Sequence, residues 1–279
     1  MPGPIAAERA VVVPVGSTAI DATLPAGCLL LDALAALLVS RGVESACVTL
    51  LGGAFGPFAY VIPALSPDAA HAAFYSETFR PAGRTQLDAA AVTVGFRAGR
   101  PFFHCHGRWT EADGRQGCGH VLPDDTVIAA PITVHGVGII GARFEVVADP
   151  ETGFGLFMPI ASGTPLPPGA KPAVALRLAP NQDLVEALER AGAAEGFDRA
   201  VLHGGVGSII GARFADGTEI ASFATELLVR GCTVRCGEGG PSTEIDIAIV
   251  DLHGNIGGGQ LVAGDNPVLM TFEGLLEAF

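Results

Sequence analysis

The second half of this sequence repeats the pattern of the first, and this repeat restricts the possible folds more than any other feature. A predicted helix and strand lead to a glycine turn at 52–53, and the same succession leads to a glycine turn at 204–205. Further on, the stretch around Gly254 aligns with the stretch around Gly114. The offsets are 152 and 140 residues, so the second copy lacks about a dozen residues of a polar loop. A tandem duplication explains both offsets.

The apolar pattern and the proline distribution predict the domain boundaries. Leucines recur at helical spacing over 28–42, and a second helical pattern over 181–192 has Asn181 as a possible cap. Prolines are dense over 150–180, which indicates a linker, and its apolar residues indicate that the linker is packed down. We therefore expect a first domain over 1–149, a packed linker over 150–180 and a second domain over 181–279.

The stretch R-P-F-F-H-C-H-G-R-W-T-E-A-D-G-R-Q-G-C-G-H-V-L, residues 100–122, carries the clearest chemistry. Side chains alternate between the two faces of a strand, so His104, His106 and Arg108 should share a face. The Asp-Gly-rich turn that follows predicts a hairpin, which brings His120 beside them. Three converging imidazoles suit Zn²⁺ and leave a fourth position for water or substrate. The alternative is that these histidines only hydrogen-bond between strands.

The same residues resemble a known family. H-C-H, followed by D-G and then G-C-G-H-V-L, is similar to the core of the PPC domain, the plant and prokaryote conserved domain of unknown function. Cys118 stands where that family has the first glycine of G-G-H-L. The resemblance implies an α/β (α+β) fold in two similar domains, each a mainly antiparallel β-sheet with one or two packed helices. It also implies a tendency to form homotrimers.

The second copy does not keep the histidines. At the offset of 140 residues, His104, His106 and His120 correspond to Glu244, Asp246 and Gln260. The second copy is therefore interpreted as a structural partner, and a separate acidic site for a harder cation remains the alternative.

Composition excludes several classes of function. The net charge of −13 opposes binding to phosphate backbones, so direct DNA binding is not expected. The six cysteines form no disulfide framework and no C-x-x-C pair, and the N-terminus has no basic signal segment. The longest apolar run is too short to span a bilayer. These features predict a cytoplasmic protein without membrane contact.

The leading hypothesis is a metal-dependent enzyme or sensor for a small anionic molecule. His104, His106 and His120 would hold a divalent metal, with Zn²⁺ preferred, and Arg108 would orient a carboxylate. Glu77 and Glu226 are the candidate acid–base residues, and Glu226 also matches an acidic residue of PPC domains. Hydrolase and lyase chemistry both remain open. The rival hypothesis is a non-enzymatic, oligomeric assembly or regulatory module, because plant PPC domains accompany DNA-binding segments.

Overall fold

The chain folds into two copies of the same arrangement of strands around one helix each. The computed structural model describes residues 1–237 and 240–279. The elements of the first copy are β1 (Ala10–Leu24), α1 (Leu30–Arg41), β2 (Ser45–Leu51), β3 (Ala54–Phe55), β4 (Tyr60–Val61), β5 (Pro63–Ala64), β6 (Phe74–Tyr75), β7 (Thr85–Arg97), β8 (Arg100–Thr110), β9 (Gln116–Val121), β10 (Ile128–Ala130) and β11 (Ile132–Ile140). A hairpin of β12 (Ala142–Ala148) and β13 (Gly155–Ala161) follows. The elements of the second copy are β14 (Lys171–Leu178), α2 (Leu184–Ala194), β15 (Arg199–Ile209), β16 (Ala212–Arg213), β17 (Glu219–Ile220), β18 (Thr225–Gly237), β19 (Gly240–Asp251), β20 (Ile256–Gln260) and β21 (Val268–Ala278).

Both copies pair their main strands in the same antiparallel order. The order is β1, β11, β2, β7, β8 and β9 in the first copy, and β14, β21, β15, β18, β19 and β20 in the second. The first strands of the two copies, β1 and β14, also pair with each other and join the two sheets. The predicted α+β class with two similar domains is therefore confirmed.

Strand alternation decides which side chains each sheet presents to its helix. Phe103 and Cys105 of β8 pack with Leu30 and Leu34 of α1 in one buried core, so His104 and His106, at the alternate positions, point to the opposite face. The second sheet follows the same rule: Leu227, Val229, Phe272 and Leu276 join the core around α2, whose buried residues include Leu184 and Leu188. The side chains at the alternate positions point to the sheet face that lies away from the helix.

The faces that carry no helix pack against each other. Their contact includes a small apolar cluster contributed by both copies: Ala91, Cys118, Val206, Leu228, Ala248 and Val250. A second buried cluster also joins the copies through Cys47, Val137 and Leu275. The order of layers is therefore α1, first sheet, second sheet and α2. At one end of this contact the apolar residues give way to polar ones, and the histidines lie there. No helix in the described residues is long and apolar enough to cross a membrane.

Residues 150–180 contain more regular structure than the linker prediction implies. They hold β13 and also β14, which occupies in the second copy the place that β1 occupies in the first. Six consecutive residues of K-P-A-V-A-L-R-L are buried, as in a strand covered on both faces, and the prolines around this run favoured the linker interpretation. The α2 helix is capped by Asp183, whose side chain accepts a hydrogen bond from the Glu186 amide, and not by Asn181.

A buried ion pair joins β14 to the segment that follows β12. Arg177 donates to Asp149 across 2.7 Å, and both side chains are almost fully buried. Arg177→Met should lower the free energy of unfolding by about 3 kcal/mol, because it leaves the Asp149 carboxylate buried without its counter-charge. Urea denaturation followed by circular dichroism measures this loss. The matched control is Arg213→Met, which breaks the exposed pair with Glu219 and should change the free energy of unfolding far less. Equal losses of stability in the two variants would contradict a stabilising role for the buried pair of Arg177 and Asp149.

Candidate metal centre between the two copies

Three histidines of the first copy converge on one point. His104 and His106 lie two residues apart on β8, and β9 pairs with β8 so that His120 stands directly opposite His106. His106 Nε2 lies 3.1 Å from His104 Nε2 and 3.2 Å from His120 Nδ1. All three ligand atoms lie within 4.8 Å of one another. The predicted convergence of the three imidazoles is confirmed.

These separations fit a tetrahedral metal site. Zinc–nitrogen bonds of about 2.0–2.1 Å at tetrahedral angles place the ligand nitrogens about 3.3 Å apart. The two shortest nitrogen separations in the cluster are close to that value. Three protein ligands at such spacing leave one tetrahedral position for another molecule.

Contacts from the second copy orient two of the imidazoles. His106 Nδ1 lies 2.8 Å from the carbonyl oxygen of Leu227, which can only accept, so Nδ1 carries the proton and Nε2 is a bare lone pair. His104 Nδ1 is hydrogen-bonded to Glu273 Oε1, which fixes the orientation of this ring. The bare Nε2 of His106 faces Nε2 of His104 across 3.1 Å, and groups of the second copy hold both rings in place. The donor set therefore fits a metal ion.

Burial keeps these imidazoles in the form that binds metals. His106 and His120 are 2% and 8% exposed. Burial holds the pKa of His106 well below its usual value, and the neighbouring His104 lowers it further. Burial likewise holds the pKa of His120 well below its usual value, with further lowering by His104, His106 and Arg97. Both rings are thus neutral near pH 7, as metal ligation requires.

Two buried carboxyl groups of the second copy face the cluster. Glu226 of β18 places Oε1 3.9 Å from His106 Nε2, and Glu273 of β21 is completely buried. Burial raises the pKa of Glu226 to about 8, so this carboxyl holds a proton near neutral pH. Among the described residues, Glu226 Oε2 and Glu273 Oε2 have no hydrogen-bond partner. Buried polar atoms without partners are rare in folded proteins and are typical of functional sites.

The structure brings together some of the predicted site residues and separates others. Glu226 lies beside His106 and so belongs to the same site as the three histidines. Arg108 does not reach them, because it pairs with Asp88 at 3.7 Å and lines a different pocket with Gln116. Glu77 is exposed and does not line the cavities next to the histidines.

Three residues near the histidines were missed by sequence reasoning. Glu273 is the single charged residue in the apolar run V-L-M-T-F-E-G-L-L. A lone charge in such a run indicates a buried carboxyl group that needs a partner, and this signal is present in the sequence. Tyr75 of β6 places its ring 5.2 Å from the His120 ring. Arg97, at the end of β7, lines a cleft that also contains His104 and His120. Nothing in the sequence connects Tyr75 or Arg97 to the histidines, since their proximity depends on how β6 and β7 lie in the fold.

The corresponding positions of the second copy form ion pairs instead. Asp246 is paired across strands with Gln260, as His106 is with His120. Asp246 is bound by Arg230 at 2.7 Å, and Glu244 is bound by Arg235 at 2.9 Å. The nearby arginines balance both carboxylates, which favours the structural interpretation of this copy over a second cation site.

Solved structures resemble about half of this chain at a time. One is a plant- and prokaryote-conserved (PPC) protein from Pyrococcus horikoshii, with 17% identity, a TM-score of 0.42, and coverage of 52% of this chain and 92% of that one. Another is a metal-containing protein from Archaeoglobus fulgidus, with 20% identity, a TM-score of 0.41, and coverage of 52% and 94%. A third, from Ralstonia eutropha, is named "putative DNA-binding protein" and has 19% identity, a TM-score of 0.36, and coverage of 50% and 89%. No protein-family model and no curated protein matches the chain.

The contact between His106 and the Leu227 carbonyl predicts a specific tautomer. In metal-free protein near pH 8, His106 should carry its proton on Nδ1, because a carbonyl oxygen cannot donate. Long-range ¹H–¹⁵N correlation spectra distinguish the two tautomers, and loss of the signals in His106→Ala assigns them. Protonation of His106 at Nε2 would contradict the geometry described here.

Proposed function

We propose that His104, His106 and His120 bind one divalent metal ion, with Zn²⁺ preferred, and that this centre acts on or senses a small anionic molecule. The observation that carries the proposal is the convergence of three imidazole nitrogens, with His106 Nε2 at 3.1 Å from His104 Nε2 and 3.2 Å from His120 Nδ1, while groups of the second copy orient His104 and His106. The neutral state of the buried imidazoles supports it. Zinc accepts three histidines in catalytic sites and keeps one position open.

The residues around the histidines supply what metal-assisted chemistry needs. A bound metal would act as a Lewis acid on a ligand atom in its open position. Glu226 holds a proton near neutral pH, 3.9 Å from the ligating edge of His106, and is the group that can give a proton to or take one from a bound ligand. Glu273 and the Leu227 carbonyl keep His104 and His106 in the ligating orientation. Hydrolysis and elimination both require such a proton transfer, and the proposal covers either.

Metal content tests the proposal directly. Untagged wild-type protein should contain about one Zn²⁺ per chain after reconstitution with Zn²⁺ and removal of excess metal, because three ligands hold the ion. His106→Ala should lose it, since His106 is the central ligand of the three. Elemental analysis by inductively coupled plasma mass spectrometry measures both.

A matched variant shows whether the loss is specific. His135→Ala removes an exposed histidine whose ring is paired with Asp21 on another part of the surface, and its metal content should equal that of wild type. Wild-type protein that stays metal-free after incubation with Zn²⁺, Mn²⁺, Fe²⁺ and Ni²⁺ would leave the histidines as structural residues and refute the proposal.

We also propose that the chain assembles with copies of itself, as the PPC resemblance suggests, into a homotrimer. The apolar side chains that remain exposed support this proposal; among the larger ones are Leu166 at 50%, Phe223 at 46% and Ile160 at 39% exposure. An assembly without enzymatic activity is the second candidate function. The net charge of −13 disfavours direct contact with DNA in either case.

Light scattering coupled to size-exclusion chromatography measures the assembly. We expect a mass three times the chain mass of 28.3 kDa. Phe223→Ser should shift the population toward smaller species if Phe223 is buried between copies. A monomer at all concentrations tested would exclude the trimer.

A further inference from the structure

Cavities lie on two sides of the histidines. The smaller, about 60 Å³, is lined by His104, His106 and Glu226. The larger, about 280 Å³, is lined by His104, His120, Tyr75, Arg97 and Phe102. We call the larger one the Arg97 cleft. A ligand in this cleft can lie next to two of the three ligating imidazoles and reach the guanidinium of Arg97.

Arg97 is held in place without using its hydrogen-bond donors. Its guanidinium carbon lies 3.7 Å from the centre of the Phe102 ring, so the planar group is stacked on that ring. Among the described residues, Arg97 makes no ion pair, and no side-chain hydrogen bond of Arg97 is found. The contact holds the guanidinium over the face of the Phe102 ring, and its N–H groups remain available for a ligand.

The arginine expected from the sequence to bind an anion is differently placed. Arg108 is paired with Asp88 and bonded to Gln116, so its charge is already balanced. It also lies in a pocket that contains none of the three histidines. Arg97 lies next to the histidines and has no side-chain hydrogen bond among the described residues, whereas Arg108 lies away from them and already contacts Asp88 and Gln116.

The acidic residues of the Arg97 cleft leave room for an anion. Asp125 is bound by Arg80 at 2.8 Å, so its charge is largely balanced. Asp124 is exposed and forms no ion pair with Arg97, although its carboxylate still attracts the guanidinium from a longer distance. Since the protein as a whole is strongly acidic, an anionic ligand needs a local cation to bind, and Arg97 is the cation of this cleft.

From this geometry we infer that Arg97 binds the carboxylate of a small organic acid whose other end lies at the histidine cluster. The inference rests on the proposed metal centre and names the ligand class of that centre. A planar guanidinium with a free edge matches a carboxylate through two parallel hydrogen bonds, and the Phe102 stack keeps it oriented for them. Arg97 is thus a specificity-determining residue, and His104 and His120, which line the same cleft, lie at the opposite end of the bound molecule.

Calorimetric titration of the full-length, Zn²⁺-treated protein with oxalate, malonate and succinate tests the inference. We expect at least one of these dicarboxylates to bind wild type, and Arg97→Gln to weaken it at least tenfold, the size of effect typical of a charge-assisted pair. Arg97→Lys should fall between the two, because a lysine keeps the charge and loses the fork. Arg100→Gln is the matched control: Arg100 is the cross-strand neighbour of Arg97 and does not line the cleft, so this variant should bind as wild type does.

Several results would overturn the inference: binding of no dicarboxylate to wild type, equal affinities for wild type and Arg97→Gln, or equal weakening by Arg100→Gln. Stronger binding of inorganic phosphate than of any dicarboxylate would overturn the assignment to carboxylates. Metal content measured on the same samples separates this test from that of the proposed function. Metal-free wild type would refute the metal centre, while the effect of Arg97→Gln on dicarboxylate binding still decides the role of Arg97.

Discussion

The contact between the two sheets is the constraint on which the candidate site depends. The helix of each copy covers one face of its sheet. The other faces are buried from water only when they pack against each other. Six small or aliphatic side chains fill the middle of that contact. At its end, three histidines from one sheet meet two glutamates and a backbone carbonyl from the other. Because buried polar groups must find partners, the histidine cluster cannot be separated from the second copy without exposing these groups.

The duplication yields one site and not two. The residues paired across strands as His106 and His120 are in the first copy are Asp246 and Gln260 in the second. The partner side differs as well: Glu226 stands opposite Val250, and the matching position of the first copy, opposite Thr110, is Gln86. One copy therefore supplies the ligands and the other supplies the carboxyl groups that orient and flank them. Such a division of roles requires two domains in one chain that can diverge independently.

Charge is distributed differently at the site and over the rest of the protein. The chain is acidic overall, and Arg230 and Arg235 neutralise the two carboxylates that replace histidines in the second copy. Next to the histidines, burial keeps Glu226 protonated and two imidazoles neutral. Arg97 is the arginine that lines the cleft next to these groups. A divalent cation with an anionic ligand would suit such surroundings, which is why the metal centre and the Arg97 cleft are proposed together.

The sequence by itself determined the duplication, the two helices and the histidine hairpin, because these follow from local spacing: a strand period of two, a helix period near 3.6 and an Asp-Gly turn. It also placed His104 and His106 on one strand face with His120 opposite. The sequence offers Glu226 only as one of two candidate acid–base residues, and it favours Arg108 because this residue shares a strand with the histidines. The positions of Glu273, Tyr75 and Arg97 beside the cluster were decided by tertiary structure, since they come from strands distant in sequence. No local sequence pattern shows which face of one sheet packs on which face of the other. This packing results from the simultaneous burial of the two faces that carry no helix.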